Sequence, residues 1–213
     1  MAPQTGLRER KKQATRKALR DAALRLALER GPGNVRVDDI AEAAGVSPRT
    51  YNNYFSSREQ AIVAAITAER ETRVAAAVAA RSATPRLSDA VVAAIVEQYT
   101  DPGSHDPRVL LLITTTPALR EAFLGTAAGI EHSLAAVIAE RTGETGQLAA
   151  RVLSACIAAA VRVALGQWLR PATASAAAGG LVVPSGSLPG LLRAALAPLA
   201  PALDAAGQPG SAA

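Results

Sequence analysis

Apolar residues recur along this chain at helical spacing almost from end to end. Leu19, Ala22, Ala23, Leu26 and Ala27 fall at three- and four-residue intervals and predict one buried face on a helix from Leu7 to Arg30, ended by Gly31-Pro32-Gly33. A shorter helix with Ile40, Ala41 and Ala44 turned inward follows. Gly45 then stands where the backbone must adopt positive φ to reverse the chain. Ser47 is placed to cap the next helix, and Pro48 to occupy its first position, where no N–H is needed. Residues 57–81 read as one helix with Ile62, Ala65, Ile66, Val74 and Val78 inward, closed by Ser82-Ala83-Thr84-Pro85. The same period predicts helices over Leu87–Thr100, Arg108–Thr115, Ala118–Thr142, Gln147–Arg170 and Leu188–Leu203, the last interrupted by Pro198 and Pro201. Between them lie a loop at Asp101–Pro107 and a linker at Pro171–Pro184. Residues 1–6 read as a loose arm and residues 207–213 as a disordered tail. The fold class is therefore all-α.

One stretch breaks the amphipathic pattern. After the turn at Gly45, the helix beginning at Pro48 shows Arg49, Thr50, Tyr51, Asn52, Asn53 and Tyr54 in succession. These are hydrogen-bonding and aromatic groups, not a solubilising Lys/Glu face. Two short helices across a tight turn, the second polar in this way, make a helix-turn-helix, which lays its second helix in a DNA major groove. Arg49 suits a guanine edge, and Asn52 or Asn53 an adenine edge. Thr50 and the hydroxyls of Tyr51 and Tyr54 suit phosphates, or a thymine methyl in the case of Thr50. Phe55 has no polar handle and is expected in the core.

The residues Ile40-Ala41-Glu42-Ala43-Ala44-Gly45-Val46-Ser47, then Thr50-Tyr51-Asn52-Asn53-Tyr54-Phe55, then Ser57-Arg58-Glu59 resemble the TetR family of one-component bacterial repressors. The resemblance covers roughly the first third of the chain. It implies an N-terminal three-helix helix-turn-helix domain, placed at residues 1–60, followed by a helical ligand-binding and dimerisation domain at residues 61–206. It places Tyr54 against the DNA backbone and makes Arg58 the counterpart of a phosphate-binding lysine. Two positions depart from the family pattern. Pro32 stands where an aromatic is common, and Arg36 where a threonine caps the helix and touches a phosphate. Asp38 is then expected to take over the cap, and Arg36 to supply charge to a phosphate. The resemblance also implies a homodimer built on the helix ending at Trp168 and the helix around Leu191. There Ala158, Ala159, Ala160, Gly166, Ala194 and Ala195 are small enough for close approach. It implies a small-molecule pocket, for which Tyr99, Leu112, Thr115, Phe123, His132 and Trp168 are the candidate lining. Apolar lining points to a hydrophobic or amphipathic effector. The recognition helix and the Thr116-Pro117-Ala118-Leu119-Arg120 segment look like a branch that includes acyl-coenzyme-A-responsive regulators.

Charge supports the placement of the DNA-reading part. The net charge is +5, and residues 1–60 hold 12 of the 23 Lys/Arg and 7 of the 18 Asp/Glu, so the whole excess lies there. Arg8, Arg10, Lys11, Lys12, Arg16, Lys17 and Arg20 crowd the first helix, and phosphate contact is expected from some of them. Catalytic chemistry finds no constellation: no phosphate-cradling glycine loop and no Gly-x-Ser-x-Gly elbow. His105 and His132 have no cysteine or carboxylate at ligand spacing, so neither metal nor cofactor is expected. The single cysteine, Cys156, excludes an intramolecular disulfide, fits a reducing compartment, and is expected in the core. The N-terminus is basic without an apolar run, and the charge-free stretch from Pro171 to Leu192 is broken by prolines and glycines. A cytoplasmic protein without a membrane span is therefore expected. Two readings stay open: a ligand-released repressor of a double-stranded DNA operator, and a constitutive DNA-binding protein without ligand control.

Overall fold

A computed structural model describes residues 4–68, 70–81, 86–100, 107–142, 147–170 and 187–207. Every regular element among them is helical: α1 (Gln4–Arg30), α2 (Val37–Ala43), α3 (Pro48–Asn52), α4 (Arg58–Thr67), α5 (Arg70–Ala80), α6 (Leu87–Thr100), α7 (Pro107–Thr115), α8 (Pro117–Gly125), α9 (Ile130–Thr142), α10 (Gln147–Trp168), α11 (Leu188–Leu196) and α12 (Ala200–Gly207). The expectations for residues 1–3, for the Ser82–Pro85 break, for the loop at 101–106 with His105, for the linker at 171–184 and for the tail from 208 lie outside the described residues.

Three predicted helices are divided. The helix expected over residues 57–81 is two, α4 and α5. The one expected over Ala118–Thr142 is α8 and α9 joined by a 3-10 turn at Thr126–Gly129, and the final one is α11 and α12 joined at Ala197–Leu199. Pro198 explains the last case, since a proline inside a helix removes one N–H and clashes with the preceding turn. The first helix starts at Gln4, ahead of the expected Leu7.

The chain forms two compact units. One comprises residues 1–68 with 105–123, the other residues 69–104 with 124–213. In the first, α1 contributes Leu19, Ala22, Ala23, Leu26 and Ala27 to the core, as its spacing predicts. They meet Val35, Ile40, Ala41, Tyr51, Phe55, Ala61, Ile62 and Val63, all buried. In the second unit α10 packs against α9 and α11, and α6 against α5, α11 and α12. Its core is drawn from Val74, Val78, Val91, Ile95, Ile130, Leu134, Ile138, Leu153, Ile157, Val161, Leu165, Leu192 and Leu196. Asp204 of α12 closes this unit by accepting the Ser88 N–H at 3.1 Å. That satisfies a free donor in the first turn of α6, and the bond holds the Asp204 carboxyl below its ordinary range.

The outer face of α10 is unlike that of the other helices. Leu148, Val152 and Val163 are 73%, 53% and 63% exposed. With Ala155, Ala159 and Gly166 they form a stripe at helical spacing, opposite the buried Leu153, Ile157 and Val161. Cys156, expected in the core, is exposed beside this stripe, because the helical rotation turns it away from Ile157. By length and composition α10 and the segment Pro117–Arg141 could cross a membrane, and only 44% and 28% of the apolar windows are buried within the protomer.

Candidate nucleic-acid interface

The turn between α2 and α3 follows from two residues. Gly45 has φ +69, and the Val46 N–H reaches back to the Ala41 carbonyl (2.9 Å) while the Gly45 N–H reaches Glu42 (3.0 Å). This double closure satisfies the last carbonyls of α2 and needs a left-handed residue at the glycine position. Ser47 then accepts the Thr50 N–H (3.2 Å) and Pro48 opens α3, as the sequence predicts. At the start of α2 the cap differs from expectation. Asp39, not Asp38, accepts the Arg36 N–H at 2.8 Å. Asp39 is three residues beyond the extended Arg36, the spacing at which a side chain folds back on the residue before the helix. Arg36 itself is exposed.

With α3 fixed at both ends, its faces are set. Arg49, Asn52 and Asn53 are exposed, with Ser47 and Pro48 at the leading end, and Thr50 and Tyr54 are half-buried. Tyr51 is a correction. It is 0% exposed, and its hydroxyl donates to the Ser57 carbonyl at 2.7 Å, so it has no surface to offer a phosphate. A five-residue helix needs an anchor, and Tyr51 with Phe55 one turn on provides it; their rings sit 5.9 Å apart. Phe55 is core, as expected, with the Arg16 guanidinium 5.6 Å from its ring centre.

Burial, then the nearby Glu59 charge, pushes the Tyr51 phenol up to about 12. The protonated form is thus favoured by folding. Its stabilisation is complete below the ordinary phenol range near 10 and is lost as pH rises from there through about 12. Tyr51→Phe is expected to remove that alkaline loss of stability and to cost about 1 kcal/mol at neutral pH through the lost hydrogen bond. Urea titrations at neutral and alkaline pH measure both.

Arg58 is half-buried. Its guanidinium turns inward and donates to the Val35 and Gly33 carbonyls (2.8 and 3.2 Å) and to Glu59 (2.7 Å). Gly33 and Val35 lie in the bend between α1 and α2, where carbonyls have no helical partner. One guanidinium nitrogen, Nη1, satisfies both, while Nε holds Glu59. Arg58 therefore ties α4 to the lead-in of α2. Burial works against the Glu59 carboxylate, but its bond to Arg58 and neighbouring contacts hold the carboxyl below its usual range.

The six candidate effector contacts differ in exposure. Tyr99 is buried beneath the Arg70 guanidinium, 4.6 Å from the ring centre, and burial raises its phenol. Trp168 is half-buried, His132 exposed, Leu112 half-buried, Thr115 exposed and Phe123 buried. Of the six, His132 alone lines the open groove of about 960 Å³ between α9 and α10, with Glu131, Arg151, Leu148, Val152 and Ala155 among its neighbours. No group of three or more metal-ligating side chains occurs among the described residues.

Comparison with known proteins agrees with this geometry. Residues 19–65 match the model described as "Bacterial regulatory proteins, tetR family", and residues 86–204 the "MftR C-terminal domain". The HTH-type transcriptional regulator TcmR of Streptomyces glaucescens is 31% identical over 152 residues, 65% of either chain. The HTH-type transcriptional regulator BetI of Rhizobium meliloti (strain 1021) is 47% identical over 75 residues, 33% of this chain and 36% of that one. The matched region thus spans just under two thirds of TcmR and about a third of BetI. The relatives are transcriptional regulators and not enzymes. The helix-turn-helix and the helical second part are each matched along most of their length, and the chain belongs to the TetR family of transcriptional regulators.

Proposed function

We propose that the protein is a one-component repressor, a homodimer that grips a palindromic operator and releases it when a hydrophobic or amphipathic molecule binds. Residues 1–60 read DNA, and residues 61–206 bind effector and partner. Arg49, Asn52 and Asn53 meet base edges. Ser47, Pro48, Thr50 and Tyr54 meet the sugar-phosphate backbone, and Arg36 a phosphate.

The observation that carries this reading is the double-sided apolar character of α10. A helix apolar on opposite faces is stable only when both are covered, and the protomer covers one. A second copy of the same stripe is self-complementary about a twofold axis, and α11 lies beside it to complete a four-helix contact. Ala159 and Gly166 of the expected small-residue set are available for it; Ala158 is not, being buried within the protomer. Two recognition helices related by the same axis then require a palindrome.

Footprinting on the DNA flanking the gene, followed by a genome-wide binding screen, tests the operator. Absence of any roughly palindromic protected site defeats the repressor reading, and equal protection of every duplex favours constitutive binding without ligand control. A thermal-shift screen with fatty acyl thioesters, aromatics and antibiotics, repeated against the operator complex, tests release. No shift with any acyl thioester removes that effector class. Arg49→Ala is expected to cost about 1–3 kcal/mol of operator affinity and to relax specificity at one base pair per half-site. Equal loss on all sequences would make Arg49 a phosphate contact instead.

A further inference from the structure

The stripe of α1 that faces the rest of its unit changes character partway along. From Leu19 onward it is Leu19, Ala22, Ala23, Leu26 and Ala27, all buried. Continued toward the N-terminus at the same three- and four-residue spacing, it becomes Thr15, Lys12, Lys11 and Arg8. From Leu7 to Ala18 every side chain is exposed except the half-buried Thr15. Cations are normally put on the face of a helix that points away from its domain. Here three of them occupy the inward-facing side, beyond the point where the protein core ends.

What they face is the recognition helix. Arg8, Lys11, Lys12 and Thr15 line a groove of about 610 Å³ whose other wall is Thr50, Asn53 and Tyr54 of the α3 segment. Glu9 is the one carboxylate on its rim, and it accepts a hydrogen bond from Gln13 at 3.0 Å. Below the groove, Arg16 rests on the Phe55 ring and pins α1 to the end of α3. The cations on the opposite side are engaged elsewhere: Lys17 pairs with Asp21 at 2.5 Å, and Arg20 lies 3.8 Å from the same carboxylate.

Resting on the DNA-binding reading and extending it, we infer that this groove seats one strand of the phosphodiester backbone beside the bases that α3 reads. Arg8, Lys11 and Lys12 supply charge to successive phosphates from one wall, and the Thr50 and Tyr54 hydroxyls donate from the other. The first turns of α1 are then a second DNA-binding element, independent of base sequence, that fixes how deeply α3 sits. Phosphates are the ligand because one wall of the groove offers three cations and the other two hydroxyl donors, which an extended anionic strand can engage together.

The test is the salt dependence of binding to a mixed-sequence 30-base-pair duplex, read by fluorescence anisotropy. Each neutralised phosphate contributes about 0.9 to the slope of log affinity against log salt. The triple variant Arg8→Gln, Lys11→Gln, Lys12→Gln is expected to have a slope shallower by roughly 2–3, which amounts to about a 16- to 64-fold difference accumulating between about 50 and 200 mM salt. Arg10→Gln with Lys17→Gln, on the other side of the same helix, is expected to change the slope by less than about 1. All five positions are exposed, and circular dichroism checks that the helix persists. If the two variants lose slope in proportion to charge removed, the groove is not a site and the effect is diffuse attraction. If the wild type binds and the triple variant matches its slope, the groove is overturned and the DNA-binding reading stands. If the wild type binds no duplex, both fall.

Discussion

Val163→Glu is expected to leave the single chain folded and to divide the proposed dimer. The side chain is 63% exposed in the protomer, so a carboxylate there remains in water and costs the single chain little. In a twofold α10 contact the same carboxylate would lie against apolar neighbours and near its own symmetry mate, desolvated and repelled. Sedimentation should then give the mass of one chain. Binding to a duplex with two half-sites should fall by about 10²- to 10⁴-fold, the gain that joining two weak modules supplies. Binding to a single half-site should stay as it was. Gln167→Glu, the same charge on the flank of the stripe, should leave mass and affinity near wild type. A Val163→Glu protein that sediments as a dimer would place the twofold contact elsewhere.

The second large effect belongs to Phe55. Phe55→Ala removes a ring that is 2% exposed and that touches both Tyr51 and the Arg16 guanidinium. Emptying such a site costs about 3–5 kcal/mol, a large share of the roughly 5–15 kcal/mol that holds a domain together. Urea unfolding should move to a much lower midpoint. Duplex binding should fall with it, because Tyr51 and Phe55 are what dock α3. Phe55→Leu should lose far less in stability, since most of the volume is kept. A loss below about 1 kcal/mol in the alanine variant would mean that the core collapses around the gap.

Several features of this protein are legible in its residues alone. The turn is one: Gly45, Ser47 and Pro48 are each suited to a single backbone task, and each performs it. The buried face of α1 is another, because a long helix repeats its period often enough to fix a direction. Tyr51 shows where that reasoning fails. In a five-residue helix there is no repeat to average over, and an aromatic with a hydroxyl fits a phosphate and a core equally well on paper. The signal that could have settled it is the spacing of Tyr51 and Phe55, one turn apart, which puts both rings on one side.

The inward contacts of Arg58 are illegible for a different reason. Its partners, the Gly33 and Val35 carbonyls, are more than twenty residues away, and nothing local announces an unsatisfied carbonyl. Cys156 was assigned inward because its neighbours in sequence are apolar. On α10 that argument has no force, since both faces are apolar. An effector pocket is the least legible feature of all. Choosing aromatic and polar residues from predicted helices says nothing of which of them share a cavity, and Tyr99 under Arg70 and His132 at the surface are in unlike surroundings.

The two-faced α10 bears on how the cell would sense its own supply of this protein. If only the paired chain can hold both halves of a palindrome, then below the dissociation constant of the pair the DNA-competent species grows with the square of the chain concentration. Doubling synthesis in that range raises it about fourfold, and halving synthesis at division lowers it as steeply. A stripe made of Leu148, Val152 and Val163 would thus set a threshold of gene dosage, and trimming one of those side chains would move the threshold without touching a single base contact.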